Sequence, residues 1–160
     1  MLPVFPARIE HVEAAFGCGV VGPVGVVLWR GEPTAERLER ATLVFERATN
    51  DLARYAMFAV WEPGSPPPNV AHLPEIARRF DGLDRLRATV GIIEDRGPLA
   101  RMLVDVASTI FVMRRRRGQP LKLCTDLAEG ASWVARRVDE PPQLADAVIA
   151  LVQRLRTSLP

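Results

Sequence analysis

The chain has 160 residues, 48% hydrophobic and 25% charged, with a net charge of +2. That is enough chain for one domain with a real core, the composition is that of an ordinary globular protein, and the charge is too balanced to mark a nucleic-acid binder. The two cysteines, Cys18 and Cys124, lie far apart without a pairing pattern, no charged-then-apolar leader opens the chain, and no apolar run reaches membrane-spanning length, so the sequence predicts reduced core thiols and a cytoplasmic location.

In chain order, residues 1–7 read as a tail. Residues 8–17 contain Ile9, Val12, Ala14 and Phe16 and alternate from Val12 on, which predicts a half-buried strand. The glycines of 18–22 predict a turn. Residues 23–30, PVGVVLWR, are apolar at nearly every position, the pattern of a central strand covered on both faces. These two strands are close enough in sequence to pair as an antiparallel hairpin. Thr34 is placed to cap a helix in which Leu38, Ala41, Thr42, Phe45, Thr49 and Leu52 keep a 3.6 period and Arg37, Glu39, Arg40, Glu46 and Arg47 take the other faces. RYAMFAVW at 54–61 predicts a second buried strand, and a helix between two apolar strands predicts a right-handed parallel crossover.

Residues 62–69, EPGSPPPN, form a stiff loop at the carboxyl end of that strand, where open sheets present binding loops. Leu73, Ile76, Ala77, Phe80, Leu83 and Leu86 predict a helix over 70–86, and RATVGIIE at 87–94 a third buried strand. Leu99, Met102, Leu103, Val106, Ile110 and Met113 predict the buried stripe of a helix over 99–116, with Arg101 and Asp105 outside it. Leu121, Leu123 and Thr125 alternate with Lys122, Cys124 and Asp126 as a short strand near a sheet edge, where Lys122 reaches water. Asp126 with Glu129 fits a capping box, with Thr125 as the other cap candidate. Leu127, Ala131, Val134 and Ala135 share the next helical face, with Trp133 beside it as a large apolar anchor. Pro141 and Pro142 stop that helix, and a last helix over 143–157 buries Leu144, Ala147, Val148, Leu151 and Leu155. The fold class is α/β: a single domain over 1–160, with one mixed sheet of about five strands covered by four to five helices.

Few residues suggest chemistry. His11 and His72 have no metal-ligand neighbours at helical spacing, and Gly17, Gly19, Gly22 and Gly25 precede a strand rather than the helix a phosphate loop needs. Glu94 and Asp95 end a strand with no nucleophile or base nearby and read as caps for the next helix. No catalytic residue, metal or cofactor is expected. Two features remain. Ser65 is the only hydroxyl of the EPGSPPPN loop, in which Pro66 stiffens the chain and Glu62 and Asn69 flank it. Arg114, Arg115, Arg116 and Arg117 close a helix. There they complement the macrodipole, or they contact phosphates, lipid head groups or an acidic partner.

The element order, together with LKLCTDLAEGASWV at 121–134, resembles the STAS superfamily, and most of all its SpoIIAA-like branch of anti-sigma-factor-antagonist-like, STAS/SEC14-like proteins. Members of that branch close with a short strand, an Asp-led acidic turn, and a helix carrying alanine and then Trp-Leu. The matching residues are Asp126, Glu129, Ala131, Trp133 and Val134, with Gly130 and Val134 departing from the commoner choices. LWRG and the acid-rich helix after it fit the family's opening. The likeness in order spans residues 9–138 and leaves the last helix outside. It implies a non-enzymatic regulatory module that binds another protein. It also implies Ser65 as the counterpart of the family's phosphorylated residue, although the usual Asp-Ser pair is missing and three prolines follow. An alternative is a carrier of a lipid head group or small acidic ligand, with the arginine run at the rim of its site. A homodimer fits either reading, built on a sheet edge or an apolar helix face.

Overall fold

The computed structural model describes residues 4–66, 71, 74, 78, 84–95, 97–114 and 120–160. Six strands form one sheet: β1 (Ala7–Val12), β2 (Phe16–Val21), β3 (Val24–Trp29), β4 (Tyr55–Trp61), β5 (Leu86–Ile93) and β6 (Leu121–Cys124). Their order across the sheet is their order in the chain. β1, β2 and β3 pair antiparallel, and β3 to β6 pair parallel. Four described helices accompany them: α1 (Ala35–Ala48), α2 (Pro98–Arg114), α3 (Leu127–Arg137) and α4 (Gln143–Ser158). Most of the helix expected over 70–86 lies outside the described residues.

The strand count corrects the sequence reading. Residues 8–17 are not one strand, and 18–22 are not a turn. The chain reverses at residues 13–15, and Phe16–Val21 is an interior strand buried along its whole length. The actual β2–β3 turn is Gly22 and Pro23, with Gly22 at φ 51°, as a two-residue hairpin turn opening on glycine requires. Gly17 and Gly19 hid β2 because they carry no side chain to show its pattern. Their bareness serves packing: a Cβ on Gly17 would lie 2.7 Å from Leu159 Cδ1, and one on Gly19 3.1 Å from Leu151 Cδ1. The last helix can therefore approach the sheet closely.

The sheet is covered on both faces. One carries Val24, Val26, Leu28, Ala56, Phe58, Val60, Val90 and Ile92, packed beneath α3 and α4. Leu144, Val148, Leu151, Val152 and Leu155 of α4 are buried there, so this helix is part of the core. The opposite face carries Phe16, Cys18, Val27, Trp29, Tyr55 and Met57 beneath Ala41 and Phe45 of α1, and Ile93 beneath Ala100 and Val104 of α2. The two described crossover helices thus lie on one side, as right-handed connections between neighbouring strands demand.

Local signals explain most ends. The Thr34 hydroxyl accepts from Arg37 N at 3.3 Å and starts α1. Arg85 Nη1 donates to the carbonyls of Thr49 and Leu52 at 2.8 and 2.9 Å and closes it. Asp126 caps α3 by accepting from Glu129 N at 2.9 Å. The Glu129 carboxylate pairs with Lys122 at 2.6 Å on the edge strand.

One expectation about a helix face is corrected, and one is refined. Trp133 is half-buried and packs against the core beneath the Arg137 guanidinium, while Ala131, Val134 and Ala135 make the fully buried contact of α3. A Cβ on Gly130 would collide with Ile92, so the glycine lets α3 approach the sheet closely. In α2 Met102 and Val106 are exposed, while Ala100, Val104 and Ala107 face inward. α2 is apolar on nearly every side, so period alone does not choose its inner face, and small residues take the place nearest the sheet.

Candidate interaction surface at the carboxyl ends of the strands

Register sets this surface. Trp29 of β3 pairs with Trp61 of β4, which pairs with Ile93 of β5. The next residues, Arg30, Glu62 and Glu94, therefore stand in a row, and strand alternation turns them toward the α4 side. Arg30 Nε donates to Glu62 Oε2 at 2.8 Å. Arg156 of α4 approaches Glu62 Oε1 at 3.5 Å and is hydrogen-bonded to Glu94. Glu62 and Glu94 are only 15% and 14% exposed, so both carboxylates are held in a sheltered network and are already matched by guanidinium groups. Arg30 also donates through Nη2 to Arg156 O at 3.0 Å and through Nη1 to Leu159 O at 3.3 Å, satisfying carbonyls at the end of α4.

The loop after β4 starts as a tight turn. Ser65 N donates to Glu62 O at 3.0 Å, with Pro63 and then Gly64 (φ 82°) between them, the residues a type II turn prefers. The Ser65 hydroxyl lies 3.0 Å from the carbonyl oxygens of both Trp29 and Arg30 and donates to that pair. Ser65 is half-buried and Pro66 exposed. Arg30 is thus engaged at both ends: its carbonyl holds the loop, and its side chain holds Glu62 and α4.

Of the expected site residues, Glu62, Ser65 and Pro66 come together here. Asn69, Arg115, Arg116 and Arg117 lie outside the described residues, and Arg114 is the last residue of α2. Arg30 and Arg156 were not singled out from sequence, and Glu94 reads there as a helix cap. Glu94 is not a helix cap; Asp95 instead accepts from Gly97 N at 3.1 Å in a local turn. One signal was visible: each apolar strand run ends on an aromatic or isoleucine followed at once by a charge, as WR, WE and IE.

The two cysteines show no sign of activation. The Cys18 and Cys124 thiols are free. Burial, and then Glu13, pushes Cys18 far above the usual thiol range. Burial also raises Cys124, partly offset by its hydrogen bond to the Asp126 backbone. Both are protonated at neutral pH, the reverse of a reactive cysteine. The two thiols lie four strands apart, about 19 Å at the usual spacing, and cannot be bridged. Among the described residues, no three His, Cys, Asp or Glu side chains gather as a metal site needs, and no helix is long and apolar enough to cross a membrane. The parallel strands run in sequence order without reversal, so the sheet lacks the switch point at which open α/β sheets form a ligand crevice.

Comparison with protein-family models, with curated proteins and with solved structures finds no match to this chain.

Proposed function

We propose that this chain is a non-catalytic regulatory module of STAS-like type that binds another protein through the loop following β4. The observation that carries this reading is the Ser65 clamp. One hydroxyl, bonded to the carbonyls of Trp29 and Arg30, fixes a proline-led turn against the sheet and leaves Pro66 facing outward. A loop held this way loses little entropy on binding, which suits recognition. The paired state of Glu62 and Glu94 also supports a non-catalytic role, because an acid or base committed to an arginine is poorly placed to exchange protons with a substrate.

In this reading Ser65 is also the regulatory position. A phosphate there would remove the donor from both carbonyls and set about two negative charges beside Glu62, freeing the loop. The test is affinity capture from the host's own lysate with the unmodified chain and with Ser65→Asp, after circular dichroism has shown that both are folded. A protein held by the first and lost by the second is the expected result. An identical set of captured proteins would remove the loop from the interaction.

A further inference from the structure

We propose that the outward face of α2 is a self-association surface, occupied by α2 of a second copy of this chain lying antiparallel across a twofold axis. The inference does not rest on the Ser65 loop; it concerns a different face of the molecule. Met102 and Val106 stand one helical turn apart and are 55% and 42% exposed, among the most exposed large apolar residues described. Thr109 follows one turn on. Its hydroxyl bonds back to Asp105 O at 2.9 Å, so its methyl is what remains for the surface. Met102, Val106 and Thr109 therefore form a continuous apolar stripe.

Charge decides the occupant. Arg101 and Asp105 flank this stripe on one side, both exposed. Neither side chain makes an ion pair or hydrogen bond among the described residues. Within one helix their order, cation before anion, is the weaker one for a pair four apart. In an antiparallel pair of α2 helices the same flanks meet. The register that sets Met102 against Val106 of the second copy also brings Arg101 to the second copy's Asp105, and the reverse by symmetry. The surface is complementary to itself, the property an isologous dimer requires. Both edges of the sheet are guarded against the other route to self-pairing. β1 carries a bulge between Ile9 and His11 and an Arg8–Glu10 ion pair, and β6 has only four residues, with Lys122 among them.

The stripe from Met102 to Thr109 is two helical turns long, about 11 Å, which places the contact at the low end of interface sizes and predicts a weak, reversible dimer. Sedimentation equilibrium of the full chain tests this, using Arg101→Asp, Asp105→Arg and Met102→Glu. All three positions are exposed, so thermal unfolding measured at dilutions where the parent is monomeric should match the parent. Each variant alone is expected to weaken the dimer about tenfold or more, since each charge variant faces its own kind. Mixing Arg101→Asp with Asp105→Arg is expected to restore association as a heterodimer, because every facing pair is then opposite in sign. A parent chain that stays monomeric at hundreds of micromolar would overturn the proposal. So would a dimer indifferent to all three substitutions, a mixture that does not associate, or a monomer that binds lipid vesicles through Met102 instead.

Discussion

α1 and α2 cover the same face of the sheet, yet among the described residues α1 exposes one large apolar side chain, Leu43, and α2 exposes two a turn apart, Met102 and Val106. α1 buries Ala41 and Phe45, and its flank is tied down by charge: Arg40 bonds Glu36 at 2.7 Å and Glu13 at 3.1 Å and lies over the Phe16 ring. Its carbonyl end is closed by Arg85. α2 buries smaller residues, Ala100, Val104 and Ala107, and turns Met102 and Val106 to water. An amphipathic helix is finished once its apolar stripe is covered. A helix with apolar residues on both sides is not finished, and the unsatisfied side is where a partner gains most.

This contrast can be broken at several points. The largest effect is expected from Phe45→Ala in α1. Phe45 fills the space above Gly25, where a Cβ would lie 2.7 Å from its ring, and its loss should cost about 3–5 kcal/mol in urea unfolding. Val104→Ala in α2 should cost about 2 kcal/mol, which keeps the order of the two helices. If the two losses are equal, the inner faces are not the source of the difference.

Alkali probes the α1 side next. Cys18 lies in the same cluster as Phe45, and burial keeps its thiol protonated well into the alkaline range. The unfolded thiol ionises near pH 8.5, so this contribution is complete below that pH. It falls by about 1.4 kcal/mol per pH unit above it, until the raised folded value is reached. Cys124 adds a slope of the same sign from the opposite face. Urea midpoints between pH 8 and 10 should fall less steeply in Cys18→Ala than in the parent.

Smaller still, Thr34→Ala removes the cap of α1 and should cost about 1 kcal/mol, with faster amide exchange confined to the first turn. Met102→Gln in α2 closes the series. Measured at dilutions where the chain is monomeric, it should leave stability within about 0.5 kcal/mol, because the side chain is exposed. A larger loss would mean that this face is already covered within the monomer.

The same contrast separates what the sequence discloses from what it hides. β3, β4 and β5 were legible because strands covered on both sides read as unbroken apolar runs, and α1 because its charges keep off its apolar stripe. β2 was not, since Gly17 and Gly19 show no pattern and matter only through Leu151, Leu155 and Leu159 far along the chain. The inner face of α2 was not legible either, because Met102 and Ala100 are both apolar and only packing chooses between them. In the candidate site, Ser65 stood out as a lone hydroxyl among prolines. Arg30 and Arg156 did not, and Glu94 stood out in the wrong role, because their partners are brought near by strand register and by α4, and no spacing in the sequence encodes those meetings.

The place of α4 in the core also bears on how the molecule is made. β2 and β3 leave the ribosome early, with Gly17, Gly19 and the apolar side chains between them, but the helix that covers them is built more than a hundred residues later. At ordinary rates of translation the hairpin waits on the order of ten seconds with one face bare. Contacts that join such distant parts of a chain also slow folding after release. The nascent chain is therefore most open to aggregation or to chaperone capture in that interval, and a ribosome stall before residue 143 should hold it there.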